Sequence, residues 1–149
     1  MNFYKFLEKI GLSERKSLTL GPLNVPENYF SNFLRGVIDG DGNIQKTIHT
    51  TNRNVQWSLK IVSASPNFLP WLKRIIKKLY SLEGKIYKSS HRNRKNPLYV
   101  LKFGKFAAKI ILRDCYVKGQ IAMQRKLKIA QECIQSRNGL SKYRSLKAT

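Results

Sequence analysis

The amino-acid sequence predicts an α+β fold in which helices alternate with β-hairpins. Segments with apolar residues at every third or fourth position predict amphipathic helices, and segments in which apolar and polar residues alternate predict strands. These segments follow each other in the order helix, hairpin, helix, hairpin, helix, helix, after a short leading helix. The length of 149 residues suits one domain with a real core and a small appendage.

The appendage is predicted over residues 1–25. Apolar residues recur at helical spacing from Phe3 to Ile10 and indicate a short helix. Residues 13–25 include a Gly-Pro pair and indicate a connector, with a brief extended piece at residues 17–20. The main domain is therefore expected to begin directly after this connector.

The main domain is predicted over residues 26–135, and its first helix follows Pro26. The apolar positions of this helix share one face: Phe30, Phe33, Leu34, Val37 and Ile38. Gly40 and Gly42 indicate where the helix ends. Gly36 and Gly40 are four residues apart, so they lie on one side and allow a second helix to approach closely. The helix is therefore expected to pack against two partners.

Two hairpins separated by a helix are predicted next. Alternation of apolar and polar residues indicates strands at residues 44–51 and 55–63, and again at residues 85–89 and 98–103. Helical spacing over residues 66–82 indicates the helix between the hairpins. The remaining predicted elements are two helices and a basic, weakly patterned tail, at residues 105–112, 119–135 and 136–149.

The charge of the chain indicates a polyanionic partner. Lys and Arg number 29 against 8 Asp and Glu, which gives a formal net charge of +21. Basic side chains that neutralise phosphates release condensed counterions, so nucleic acid is the favoured partner. A protein that only coats nucleic acid, and a basic protein that docks on an anionic membrane, are the alternatives from charge alone.

The cysteine count and the length of the apolar segments indicate the cell compartment in which the protein is expected. The chain has two cysteines and two histidines without metal-ligand spacing, so neither a zinc site nor a disulfide framework is predicted. The N-terminus lacks the pattern of a secretion signal, and no segment is long enough to span a bilayer. We expect an intracellular, soluble protein without a membrane partner, in a prokaryotic cytoplasm or an organelle.

Two acidic residues stand out against this basic background. Asp39 and Asp41 end an apolar helix, where they repel each other and the negative end of the helix dipole unless a cation compensates. Mg²⁺ binds one or two carboxylates and completes its shell with water and phosphate, which favours metal-assisted phosphodiester hydrolysis. An ordinary Asp-Gly turn is the alternative from these residues alone. A calcium loop is excluded, because Ile44 replaces its glycine and Thr50 its bidentate glutamate.

The nine residues 34–42 resemble the signature of the LAGLIDADG homing endonucleases. The segment departs from that signature at Arg35 and Gly40, has a conservative change at Val37, and matches it at Leu34, Gly36, Ile38, Asp39, Asp41 and Gly42. The predicted order of helices and hairpins is similar to the family's αββαββα core over residues 26–135. The resemblance implies a site-specific, divalent-metal-dependent DNA endonuclease, with a curved antiparallel sheet that forms a DNA-binding saddle.

The resemblance also implies a metal site and a homodimer. It assigns a metal ligand to Asp41, assisted by the backbone carbonyl of Gly40, and a supporting role at the helix end to Asp39. Family members bring together two signature helices, and this chain has one, so a single-motif homodimer is expected to bind double-stranded DNA at a long, roughly palindromic site. The expected dimer interface consists of Phe33, Gly36, Val37 and Gly40.

Two further catalytic positions follow from the same resemblance. The family places a lysine near the attacking water, which corresponds to Lys126, with Arg125 as the competing choice and a solvated basic helix face as the alternative interpretation. Ser63 falls where the family has a polar residue that orders water.

Base contacts are expected from the polar face of the sheet, because alternate side chains of an antiparallel ribbon can pair with base edges in the major groove. Basic side chains in the loops are expected to bind phosphates. The predicted DNA-binding residues are Asn43, Gln45, Thr47, His49, Arg53, Gln56, Ser58, Lys60, Arg92, Arg94 and Lys102. The competing hypothesis is a non-catalytic relative of the same fold, either a transcription regulator or an intron maturase that also binds its host intron RNA.

Overall fold

The computed structural model describes residues 3–12, 17–89 and 93–137. A 3₁₀ turn at Glu27–Tyr29 precedes the second helix. The helices are α1 (Phe3–Lys9), α2 (Phe30–Asp41), α3 (Phe68–Tyr80), α4 (Lys105–Cys115) and α5 (Gln124–Gln135). The strands are β1 (Gly42–Ile48), β2 (Val55–Ser63), β3 (Lys85–Ser89) and β4 (Leu98–Phe103). The predicted α+β class and the order of helices and hairpins are confirmed.

The four strands form one antiparallel sheet in the order β1-β2-β4-β3. Ile44 pairs with Leu59, and Ile61 pairs with Leu101, so apolar residues from three strands line one face. These residues share a core with the buried faces of α2, α3, α4 and α5. One face of the sheet is therefore covered by helices, and alternate residues point away from them.

The connector of the predicted appendage reaches this core. Leu23 is buried in it, and the N–H of Asn24 donates to the carbonyl of Ile10. The predicted extended piece at residues 17–20 is wrong, because residues 17–19 form a turn. The Leu20 carbonyl accepts a hydrogen bond from the Ser65 hydroxyl and not from a neighbouring strand. The boundary after residue 25 stays a prediction.

The last helix begins later in the chain than predicted. The prediction placed it near Gly119, but α5 begins at Gln124, and residues 116–123 form a connector between α4 and α5. Gly119 has φ +87°, which a continuous helix cannot contain. The last turn of α4 also runs on to Cys115, which is fully buried. Residues 138–149 of the predicted tail lie outside the described residues.

Candidate active site at the end of helix α2

The end of α2 is fixed by its buried face and by one glycine. Leu34 and Ile38 are fully buried, and the N–H of Gly42 donates to the carbonyl of Ile38 as the chain passes into β1. A Cβ atom on Gly42 would lie 2.6 Å from the Ile38 carbonyl oxygen and 2.7 Å from its Cα atom. Only glycine permits this close passage, which places Asp41 at the junction of helix and strand.

Asp41 presents an oxygen site at this junction. It is exposed, and it takes part in none of the ion pairs found within residues 3–12, 17–89 and 93–137. The carbonyl of Gly40 belongs to the last turn of α2, where helix geometry provides no intrahelical N–H for it. The negative end of the helix dipole adds to the carboxylate charge, so a cation is favoured here.

Asp39 has a different environment, although it is only two residues away. Its Oδ1 accepts a hydrogen bond from the Tyr116 hydroxyl at 2.6 Å, and its Oδ2 accepts one from the Met123 N–H at 3.0 Å. Burial, and then the hydrogen bond to Asp39, raise the pKa of Tyr116 above its ordinary range, so the phenol stays a donor. Both Asp39 oxygens are thus engaged with the α4–α5 connector, a geometry that suits a supporting role.

Lys126 lies beside Asp41, in the first turn of α5. Its ammonium group donates to the carbonyl of Gly42, the residue that follows Asp41. Burial and then the neighbouring Arg125 lower the pKa of Lys126, while Asp39 and Asp41 oppose this shift. Arg125 itself is exposed, and its Nε lies 3.1 Å from the Met123 sulfur. The geometry brings Lys126, and not Arg125, to the end of α2.

Ser63 is the last residue of β2 and pairs with Tyr99. Its hydroxyl accepts a hydrogen bond from the N–H of Ser65 at 3.1 Å. Since Gly42 pairs with Ile61, Ser63 lies two residues beyond the end of the β1–β2 ladder. Its water-ordering role stays a prediction.

The open face of the sheet carries most of the predicted base-contacting residues. The strand register places Asn43 opposite Lys60 and Lys60 opposite Lys102. On the same face Gln45 pairs with Ser58, and Thr47 pairs with Gln56. The Lys60 ammonium donates to the Gln45 side-chain oxygen at 2.8 Å, which holds both side chains in place. A cleft at this face is lined by Lys105 at the start of α4 together with Gln45, Thr47, Gln56, Ser58, Lys60 and Lys102.

One residue of this surface was missed from the sequence. Lys85 pairs with Lys102 and continues the row that begins at Asn43 and Lys60. Its place next to the apolar Ile86, in the alternating pattern of the predicted strand, was the available signal. The row therefore ends in three lysines, whose ammonium groups are suited to contact a phosphate or the edge of a guanine base.

The loop residues are distributed over the two hairpin ends. The predicted strand over residues 44–51 is too long, because β1 ends at Ile48, so His49 lies in the turn between β1 and β2 and not on the sheet face. His49 and Arg53 are exposed in this turn, where Arg53 has φ +51° and its N–H donates to the His49 carbonyl. Arg94 is exposed in the segment before β4. Arg92, a further predicted phosphate contact, lies outside the described residues.

The predicted interface residues occupy the second face of α2. Gly36 and Gly40 are exposed, and a Cβ atom on either would meet nothing within 4 Å. Phe33 and Val37 are half-buried and pack against the edge of the core. This face of α2 therefore has room for a closely approaching backbone.

Neither a cluster of metal-ligating side chains nor a membrane-spanning helix occurs in the described part of the chain. In the part of the chain that the structure describes, no group of three or more His, Cys, Asp and Glu side chains could hold a metal ion. Among the helices of that part, none combines the length and the apolar character needed to cross a lipid bilayer.

Comparison with known proteins gives one family. The model of the LAGLIDADG-like domain matches residues 29–144, which cover more than half of the chain. A search of curated proteins finds no significant match.

Proposed function

The chain belongs to the LAGLIDADG-like family, and from that premise we propose that it is a homing endonuclease. Proteins of this family bind DNA and are typically dimeric. The proposed reaction is metal-dependent hydrolysis of both strands of a long, roughly palindromic DNA site by a homodimer. The observation that carries the proposal is the exposed Asp41 carboxylate at the end of α2, with the Lys126 ammonium bound to the next carbonyl, Gly42, beside the open basic face of the sheet.

The oxygen donors at the end of α2 fit a hard divalent cation such as Mg²⁺. Such an ion takes one or two protein carboxylates and completes its shell with water and phosphate oxygens. Asp41 and the Gly40 carbonyl would hold it, with water and DNA phosphate oxygens at the remaining positions. A divalent ion held by these oxygens would supply a positive charge that activates water and stabilises charge on the phosphate.

The side chains around Asp41 have separate tasks in this proposal. Lys126 offers a cation beside Asp41, and its lowered pKa makes its proton easier to release than that of an ordinary lysine. Ser63 is proposed to order water at the end of β2. Asp39 holds the connector that leads to Lys126 and keeps that lysine in place.

The open sheet face is proposed to lie in the major groove. Gln45 and Gln56 can make paired hydrogen bonds to adenine, and the lysine row can contact guanine. The exposed loop residues His49, Arg53 and Arg94 are proposed to fix the register through phosphates.

The dimer is proposed to form along the glycine face of α2. Gly36 and Gly40 leave the approach open, and Phe33 and Val37 flank it. Two α2 helices packed in this way bring one Asp41 from each protomer to the centre. Each Asp41 would then serve one DNA strand.

The test begins with binding, because the DNA target is not encoded in any single residue. A randomised double-stranded DNA library is selected on the purified protein, and the enriched site is placed in a plasmid. With Mg²⁺ we expect linear plasmid, and with Asp41→Asn we expect the rate to fall by on the order of a thousandfold. Asp114→Asn, at an exposed aspartate that binds the Tyr80 hydroxyl, is the matched control and should cut normally.

Each outcome has a defined meaning. Site-specific binding without metal-dependent cutting would support the non-catalytic relative, and binding of host intron RNA would then specify the maturase. Undiminished cutting by Asp41→Asn would show that the metal ligand is a different residue.

A further inference from the structure

The connector between α4 and α5 is held to α2 by two side chains one helical turn apart. Arg35 and Asp39 lie on the same face of α2, because they are separated by four residues. Asp39 accepts hydrogen bonds from Tyr116 and Met123, at the two ends of the connector. Arg35 binds close to each of these positions. The guanidinium of Arg35 and the carboxylate of Asp39 therefore both hold the connector.

Arg35 makes three hydrogen bonds to this region. Its guanidinium donates to the carbonyl of Cys115 and, through Nε, to the carbonyl of Ile121, each at 3.0 Å. It also donates to the side-chain oxygen of Gln120. The Cys115 carbonyl lies at the C-terminal end of α4, where the helix dipole favours a cation. The planar fork of arginine can join two carbonyls in this way, which a lysine cannot do.

Little else holds the middle of the connector. Val117, Gly119 and Gln120 are exposed, and Ile121 is 96% exposed. Apolar packing therefore contributes little to the order of these residues. Ala122 and Leu127 pack against the core on either side of Met123, and the polar bonds from α2 add to this packing in setting the position of the first turn of α5.

We propose that Arg35 is a positioning residue that acts through the connector to hold Lys126 beside Asp41. This inference rests on the proposed nuclease function for its catalytic consequence. Arg35 stands at a position where the chain departs from the family signature, and its bonds span 80 to 86 residues of sequence. The departure thus has a structural use in this chain.

The test compares Arg35→Met with wild type in single-turnover cutting at saturating DNA and Mg²⁺. We expect the rate to fall on the order of tenfold to a hundredfold, with DNA affinity changed by less than about threefold. Arg35→Lys should retain part of the rate, since it keeps the charge and one bond. Arg74→Met is the matched control, because Arg74 is exposed on α3, and it should cut as wild type does.

A double-variant cycle separates positioning from general destabilisation. Because Arg35 acts through Lys126, adding Arg35→Met to Lys126→Met should cause no further loss of rate. If the two losses multiply instead, Arg35 does not act through Lys126 and the inference is overturned.

Hydrogen–deuterium exchange gives a readout that does not need cutting. Arg35→Met should speed exchange in residues 116–123 by at least about tenfold, while α3 exchanges as in wild type. Unchanged exchange in the connector would overturn the inference. A wild-type protein that never cuts DNA would overturn the proposed function alone, and exchange would still decide whether Arg35 orders the connector.

Discussion

We expect the substitution Gly36→Leu to stabilise the single chain and to weaken the dimer. Gly36 is exposed on α2, and a Cβ atom there meets nothing within 4 Å, so a leucine fits the isolated chain without a clash. Replacing glycine by leucine inside a helix stabilises it by about 0.5–1 kcal/mol. We therefore expect the melting temperature of the monomer to rise by roughly 2–5 °C.

The dimer should respond in the other direction. A leucine placed where two helices pack through glycine forces the backbones apart, at a cost of about 1–3 kcal/mol per site. A two-fold dimer contains the change twice, so about 2–6 kcal/mol is lost and the dissociation constant rises roughly thirtyfold or more.

Two measurements on the same samples check this pair of effects. Sedimentation over a concentration series gives the dissociation constant, and thermal unfolding at the lowest concentration gives the stability of the monomer. Arg74→Leu, which adds the same side chain to the exposed face of α3, should leave the dissociation constant unchanged. A Gly36→Leu protein that dimerises as tightly as wild type would refute the assignment of this face to the interface.

Three further predictions concern the open face of the sheet, the end of α2 and Lys126. Lys102→Met should lower the slope of log affinity against log salt by about one if Lys102 binds a phosphate, measured by DNA binding at several salt concentrations. Gly42→Ala should destabilise the fold by about 1–3 kcal/mol in denaturant titrations, because its Cβ would meet the Ile38 backbone. Arg125→Met should move the alkaline inflection of the cutting rate to higher pH, because Arg125 lowers the pKa of Lys126.

Each of these three has an outcome that contradicts it. An unchanged salt slope would mean that Lys102 contacts no phosphate. A Gly42→Ala protein as stable as Gly36→Ala would mean that the α2–β1 junction tolerates a side chain. An inflection that stays in place or moves to lower pH would show that the titrating group is not Lys126.

The regular elements were predictable because their residues repeat at short, fixed intervals. The stripe that contains Leu34 and Ile38 appears in the sequence as a helical period, and the structure buries both residues fully. The strand alternation also predicted which side chains share the open face, and the pairing of Gln45 with Ser58 follows it. Local periodicity carries this information without any knowledge of long-range contacts.

The start of α5 and the hydrogen bonds between Arg35 and the α4–α5 connector could not be predicted in the same way. Leu127 and Ala130 continue an apolar pattern back to Met123, so nothing local shows that the helix begins at Gln124. Arg35 meets its partners across 80 or more residues, and no spacing within α2 indicates them. Such contacts depend on how the elements pack, which a single sequence does not show.

The two aspartates at the end of α2 differ because of what packs against each of them. Asp39 has both oxygens engaged by donors from the connector, so its negative charge is already stabilised. Asp41 is exposed, and the nearby Lys126 ammonium is directed to the Gly42 carbonyl. A single carboxylate beside an ammonium is a weak site for a divalent cation until phosphate oxygens join it. Metal affinity at Asp41 is therefore expected to depend on bound DNA, which would limit hydrolysis to DNA that is held against the sheet.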